Sequence, residues 1–271
     1  FPSKWNEHPP MAASKPAKVS EKAIADIVPV NQNVPFDIRL LIDAIIDEGS
    51  FFEMKALFAK EIITGFARFG GRPVGIIANN SKVKGGVLFV DTSDKATRFI
   101  WLCNAFGISL LFLQDISGYM IGSSAEKAGI IRHGAKLLSA VCESTVPRIS
   151  VVVRKAYGGG YVAMSGASTL PDALIALPTG MPALVGPEAA VNALFAKQLE
   201  EMPEADRAEF TKQKREEYAK DIDVMGMAAD RFHVEAVVQP ERLRDELIER
   251  FNIYARREPK VIERRSAVHQ V

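Results

Sequence analysis

Apolar residues along this chain follow two periods in turn, and the alternation is regular enough to read elements from it. Phe99, Leu102, Cys103 and Phe106 fall at i, i+3, i+4 and i+7, the spacing of one helical face. Ile131, Ala135, Leu138 and Cys142 mark a second helix, and Leu243, Leu247, Ile248, Phe251 and Tyr254 a third. Asp37 stands where it can cap a helix with Leu40, Leu41, Ala44 and Ile45 on its apolar face. Short apolar runs of strand length lie between these. Residues 61–69 and 73–78 flank Gly70-Gly71-Arg72, a hairpin signal. Residues 108–113 and 149–153 are continuous apolar runs of the kind that fill a parallel sheet buried on both faces. Residues 173–177 and 183–185 read as shorter strands, and Pro187 suits the first turn of a helix running through Phe195, Leu199 and Met202. Residues 200–221 are densely and evenly charged, as a solvated helical face is. This alternation predicts an α/β domain with helices packed on a sheet.

The chemistry concentrates in residues 154–166, Arg-Lys-Ala-Tyr-Gly-Gly-Gly-Tyr-Val-Ala-Met-Ser-Gly. They follow the β-branched run 149–153, so a strand, a glycine turn and a helix start succeed one another. Three glycines leave bare backbone that a ligand can approach. Amides at a helix start have no partner within the helix and aim together at one point. Such a point stabilises an oxyanion or an enolate, or the glycines simply permit a tight turn. A second glycine stretch, Gln114-Asp115-Ile116-Ser117-Gly118-Tyr119, follows the preceding strand. Ligands of α/β sheets gather outside the carboxyl ends of strands, so the two stretches suggest one shared cleft. Asp115 is read as fixing its own loop through backbone bonds rather than as a catalytic acid, and His133 as a hydrogen-bonded structural residue. Arg154 and Lys155 fit an anion or, equally, solvent at a strand end.

The chain has 271 residues, 48% hydrophobic and 25% charged, which suits one large domain or two small ones. The net charge of +1 gives no pull toward nucleic acid or an anionic membrane. The apolar runs are too short for a transmembrane helix. Cys103 and Cys142 sit in helical apolar patterns and read as reduced core residues. No Cys-x-x-Cys or His-x-x-x-His spacing supports a metal site. The first residue is Phe. Residues 1–35 carry Pro2, Pro9, Pro10, Pro16, Pro29 and Pro35 among scattered lysines, reading as a linker with little regular structure and no secretory signal.

Several motifs in fixed order resemble the C-terminal half of the biotin-dependent acyl-CoA carboxyltransferases. They are Gly65-Phe66-Ala67-Arg68 with Gly71-Arg72-Pro73-Val74-Gly75-Ile76, then Ala128-Gly129-Ile130-Ile131-Arg132-His133-Gly134-Ala135-Lys136-Leu137-Leu138. Val146-Pro147 with residues 154–161 follows, and the resemblance runs from about Ile27 to about Pro259. It is strongest to propionyl-CoA-type β subunits and the transcarboxylase core.

The resemblance implies an α/β fold of the crotonase (ClpP/crotonase) type, a superhelix of ββα units. It also implies three regions: residues 1–35 as an arm from an absent N-terminal half, 36–260 as the carboxyltransferase C-terminal domain, and 261–271 as a tail. The implied activity moves a carboxyl group from carboxybiotin, held on a separate carrier domain, to the α-carbon of a short acyl-CoA. Gly159 and Gly160 then match the catalytic oxyanion-hole residues, their N–H groups facing the biotin enolate oxygen. Gly118, Tyr157, Gly158 and Val162 match substrate- or biotin-binding positions. The implied partners are acyl-CoA, biotin carboxylase and biotin carrier subunits, the N-terminal half, and further copies of the chain. No metal, nucleic acid or membrane is expected, and the implied location is the cytoplasm, or the mitochondrial matrix in a eukaryote. The sequence departs from propionyl-type members in two places. Gln-Asp-Ile-Ser-Gly-Tyr replaces Asp-x-Pro-Gly-Phe, and Val162 replaces an Asp near the acyl tail. A decarboxylase or transcarboxylase subunit, a crotonase-type hydratase or isomerase, and a non-catalytic assembly half remain as alternatives.

Overall fold

Among the residues described by this computed structural model (2–3, 7–20, 23–225 and 234–256), eight strands form one sheet. The order is β1 (Phe52–Met54), β2 (Ile62–Phe69), β3 (Arg72–Asn79), β4 (Ser109–Ile116), β5 (Arg148–Tyr157), β6 (Ala173–Ala176) and β8 (Ala236–Val237), while β7 (Met181–Ala183) pairs with the end of β5. The first three strands are antiparallel, and β3, β4, β5, β6 and β8 run parallel. The expected tail, 261–271, together with Phe1 and Trp5, lies outside the described residues. No helix among the described residues is long and apolar enough to cross a membrane.

The parallel strands are buried on both faces because helices cover both. In β4, Leu111 and Leu113 face a layer containing α2 (Ile38–Ile45) and α10 (Leu243–Tyr254). Leu110, Phe112 and Ile116 face the layer of α3 (Val90–Ala105) and α5 (Ile130–Glu143). Period-two alternation thus serves two cores at once.

Turns and caps follow local chemistry. Asp37 caps α2, its Oδ1 accepting the Arg39 N–H at 3.2 Å. The β2–β3 turn uses two residues, Gly70 and Gly71, at φ 57° and 81°, so Arg72 already belongs to β3. Two successive positive φ values suit glycine in a hairpin whose strands twist right-handedly. Asp47 clamps this turn: its carboxylate accepts Gly70 N–H at 3.0 Å, Gly71 N–H at 2.7 Å and Arg244 Nη2 at 2.7 Å.

Several expectations from the pattern need correction. On α2, Leu40 is 53% exposed, and Ile38 and Ile42 join Leu41, Ala44 and Ile45 in the core. On α5 the stripe Ile131, Leu138 and Cys142 is not the core face. The core takes Leu137, Ala140 and Val141 instead. The helix carries two apolar stripes and the sheet takes only one, which leaves Cys142 exposed while Cys103 is buried as expected. The predicted helix 187–202 breaks at Phe195 (φ −113°) into α7 (Pro187–Leu194) and α8 (Ala196–Glu201). The strand expected at 183–185 lies at 181–183, where β5 supplies its pairing partners. The charged stretch is α9 (Glu204–Asp221), and it buries no residue.

Residues 7–20 and 23–35 have little regular structure beyond α1 (Ile24–Ile27), yet they lie against the body. Ala12 N–H donates to Gly71 O at 3.0 Å, Glu48 N–H to Pro16 O at 2.9 Å and Arg244 Nη2 to Lys15 O at 2.7 Å. Ile24 is fully buried.

Lys95 on α3 is 1% exposed and donates to the carbonyls of Phe58 at 2.7 Å, Ile62 at 2.8 Å and Ala59 at 3.3 Å. It staples the loop before β2, where Lys55 and Ala59 adopt positive φ. Burial lowers its pKa from 10.5 to about 8, with the Glu53 carboxylate opposing. Between those values the unfolded chain holds more protons, so stability rises with pH through that window. Lys95→Met should flatten that rise in urea titrations at pH 7.5 to 10. It should also cost about 1–3 kcal/mol at neutral pH, because three carbonyls lose their donor. Parallel pH profiles for the two proteins would show that another group titrates.

Candidate active site

The parallel pair β4 and β5 delivers both glycine stretches to the same end of the sheet. Their register runs from Leu110 opposite Arg148 to Gln114 opposite Val152, then jumps to Ile116 opposite Ala156. One residue of β4, Asp115, therefore faces three of β5. Past this bulge β5 changes neighbour, from β6 (Val152 opposite Ala176) to β7 (Lys155 opposite Met181). Bulges re-aim the chain that follows them.

Asp115 and Arg154 meet at the bulge. Arg154 Nη2 donates to Asp115 Oδ2 at 2.7 Å, and both side chains have zero exposure. Asp115 thus holds an ion pair rather than its own loop's backbone. Arg154 is neither solvated nor open to an anion. Lys155 is half-buried, and burial lowers its pKa against the pull of Asp115.

Tyr157 occupies the cap position of α6 (Gly158–Ala163). Gly158 turns the chain at φ +56°, where a side chain would also meet Leu184 O at 3.0 Å. The amides of the first turn of α6 have no acceptor four residues back, so their partial positive charge stays available. Gly160 is buried: a Cβ there would lie 2.8 Å from Gly118 Cα. Gly118, at φ +133°, is held from its other side, its carbonyl accepting Leu88 N–H at 3.1 Å. Gly159 is exposed, and a Cβ there would find nothing closer than the Tyr119 ring at 3.6 Å.

A cleft of about 380 Å³ opens beside Gly159, lined by Tyr119, Met120 and Ile121 after β4, by Glu126, by Ile130, Ile131, Gly134, Ala135 and Leu138 of α5, and by Val162 and Ala163 of α6. Its wall is the second apolar stripe of α5. Tyr119 O–H donates to Gly134 O at 3.4 Å, and burial pushes its phenol up. On the far side of α5, His133 Nδ1 lies 2.8 Å and Lys136 Nζ 2.7 Å from Asp94 Oδ1. Burial raises the Asp94 carboxyl, but these two bonds outweigh it and hold it low. His133 is therefore a structural residue, as the sequence suggests.

Of the six residues singled out from sequence, Gly159 and Val162 line the cleft, and Gly118 and Gly160 touch beneath it. Gly158 makes the turn, whereas the Tyr157 ring packs against Gly186, with its pKa raised by burial to about 12. Sequence reading missed Tyr119, Ile131 and Leu138 as cleft residues. The available signal was the doubled stripe on α5.

Comparison with known proteins adds an independent line. A family model described as the carboxyl transferase domain matches residues 1–268. The chain is 53% identical over its whole length to an uncharacterized carboxylase, YngE, of Bacillus subtilis, covering 53% of it. It is 42% identical over 86% of its length to the methylmalonyl-CoA carboxyltransferase 12S subunit of Propionibacterium freudenreichii, covering 44% of that protein. The solved structure of the transcarboxylase 12S hexamer with hydrolysed methylmalonyl-CoA bound superposes with a TM-score of 0.90 at 35% identity, over 98% of this chain and 51% of that one. The β subunit of geranyl-CoA carboxylase from P. aeruginosa superposes at 0.82 with 26% identity, over 96% of this chain and 50% of that one. The crotonase-like fold implied by the sequence is thereby established. The chain spans about half the length of the curated relatives it matches.

The two cleft glycines should respond differently to side chains. Gly160→Val drives a Cβ into the Gly118 backbone and should cost about 1–3 kcal/mol in thermal or urea unfolding, the usual range for overpacking. Gly159→Ala meets only ordinary contact and should stay within about 0.5 kcal/mol. Equal losses would show that the Gly118–Gly160 contact is not tight.

Proposed function

The chain belongs to the carboxyl transferase domain family, and we propose that it forms the carboxybiotin-facing half of a biotin-dependent acyl-CoA carboxyltransferase. The observation that carries this reading is the bare backbone of Gly158–Gly160 at a helix start, opening on an apolar cleft at paired strand ends. Relatives named as carboxylases, decarboxylases and a carboxyltransferase support it.

The residues present suit a flat, neutral ureido ring. Glycine at 159 leaves no side chain between such a ring and the helix amides, and the neighbouring wall is apolar. Carboxybiotin, carried on a separate protein, supplies the carboxyl group when bound. The amides at Gly159 and Gly160 then serve as donors toward the ureido oxygen. Tyr119, Ile131 and Leu138 offer the apolar wall against which a bound ring would displace water, which strengthens those donors by lowering the local dielectric. The glycine turn offers no base: Tyr157 is turned to Gly186 and Arg154 is paired. Its task is electrostatic. The thioester side is assigned to the rest of the protein. Biotin carboxylase, the biotin carrier and further copies of the chain are the proposed partners.

Val162 on the cleft supports an apolar acyl group rather than strict propionyl selectivity. Glu126 is the acidic side chain lining the cleft that a hydratase or isomerase would need. It is exposed to solvent on a helix of its own, outside the glycine turn.

In the assembled enzyme, Gly159→Val should lower carboxyl transfer by about 10²–10³-fold, as for loss of one oxyanion donor, with little change in melting temperature. A near-normal rate would sink the assignment. Val162→Asp should shift kcat/KM away from longer acyl-CoAs by about tenfold per lost apolar contact of 1–2 kcal/mol, read from competition between propionyl-CoA and a longer thioester. An unchanged ratio would place the acyl tail elsewhere. The isolated chain, mixed with carboxybiotin donor and acyl-CoA, should show no turnover.

A further inference from the structure

We propose that the buried Asp115–Arg154 pair is a positioning element that sets the spacing between Gly118 and the Gly158–Gly160 turn, and that residues 29–36 belong to it. This rests on the reading of Gly158–Gly160 as the functional turn.

The placement is the first argument. Asp115 lies three residues before Gly118, and Arg154 four before Gly158, so each loop departs from one half of the pair. Above it the two loops meet with no side chain between them, Gly160 against Gly118. Past the bulge at Asp115 the sheet ladder offers that spacing a single residue pair, Ile116 opposite Ala156. The ion pair braces the bulge on which that last pair rests.

The energetics point the same way. Two charges without solvent exposure carry a desolvation penalty that an apolar pair of similar volume would not. The pair is not optimised to offset it, since Asp115 Oδ1 and Arg154 Nε have no hydrogen-bond partner among the described residues. Directionality is what the pair provides that apolar packing would not.

Arg154 extends the element to the N-terminal segment. Its Nη1 donates to Val34 O at 2.7 Å and Asn31 O at 3.2 Å, and its Nη2 to Ser81 Oγ at 3.2 Å. The guanidinium stacks 4.8 Å from the Phe36 ring centroid. Residues 29–36, the loop at Ser81, β4 and β5 therefore share one fixed point.

The test compares Asp115→Asn and Arg154→Lys with the double variant Asp115→Leu/Arg154→Met, which removes both charges and should keep the fold. Three measurements are needed: melting temperature, amide hydrogen exchange, and kcat and KM for carboxyl transfer by the assembled enzyme. The double variant should stay folded and melt several degrees lower, because the carbonyls of Asn31 and Val34 lose their donor. Its amides at 117–120 and 158–161 should exchange about tenfold faster while those of α3 are unchanged. Its kcat should fall about 100-fold with KM for acyl-CoA within about threefold. Arg154→Lys should recover part of the kcat. Unchanged local exchange, or kcat within about threefold of wild type, would overturn the proposal. Exchange that rises throughout the chain would also overturn it, in favour of a purely structural pair. If wild-type enzyme shows no carboxyl transfer, the functional reading falls, and the exchange comparison alone decides the positioning claim.

Discussion

An arginine buried to its last atom must be answered on several sides at once, and much of this molecule is arranged around Arg154. Asp115 supplies the countercharge, the carbonyls of Asn31 and Val34 take further N–H groups, and Phe36 covers the planar face. None of these groups is near Arg154 in sequence except through the fold. The requirement to satisfy one guanidinium therefore binds the segment before α2, the loop after β3 and the ends of β4 and β5 into a single arrangement. The same logic recurs at the opposite end of the sheet. There, Arg244 and Asp47 join the β2–β3 turn, the N-terminal segment and α10.

Helix α5 shows how one element divides its work. One stripe, Leu137, Ala140 and Val141, joins the core, and the other, Ile130, Ile131, Ala135 and Leu138, walls the cleft. A helix needs only one apolar face to pack on a sheet. The surplus stripe is what makes the cleft apolar, and an apolar wall is what gives a few backbone amides leverage over charge. Packing and chemistry are thus coupled through residue choice on a single helix.

The parts of this structure legible in sequence were those governed by local rules. Strand runs at 108–113 and 149–153, the Gly70-Gly71 turn, the Asp37 cap and the strand–glycine–helix transition at 154–163 all obey short-range sterics and periodicity. What failed depended on partners distant in the chain. Asp115 finds Arg154 across 39 residues, so its role could not follow from its neighbours. The choice between the two stripes of α5 depends on where the sheet lies, and Leu40 on which side of α2 is covered. Tyr157 sits within the key motif, but its ring direction is set by the space above Gly186. A motif fixes the backbone more firmly than the aim of the side chains.

The two cysteines have unequal access, and this has a practical side. Cys103 is sealed in the α3 layer, where burial pushes its thiol up, while Cys142 is exposed near the end of α5. A maleimide or thiol-reactive dye would distinguish them without mutagenesis, since the thiolate is the reactive form. A label would then sit on the very helix whose surplus stripe walls the cleft. The native chain carries its own attachment point for watching that helix by fluorescence or spin resonance.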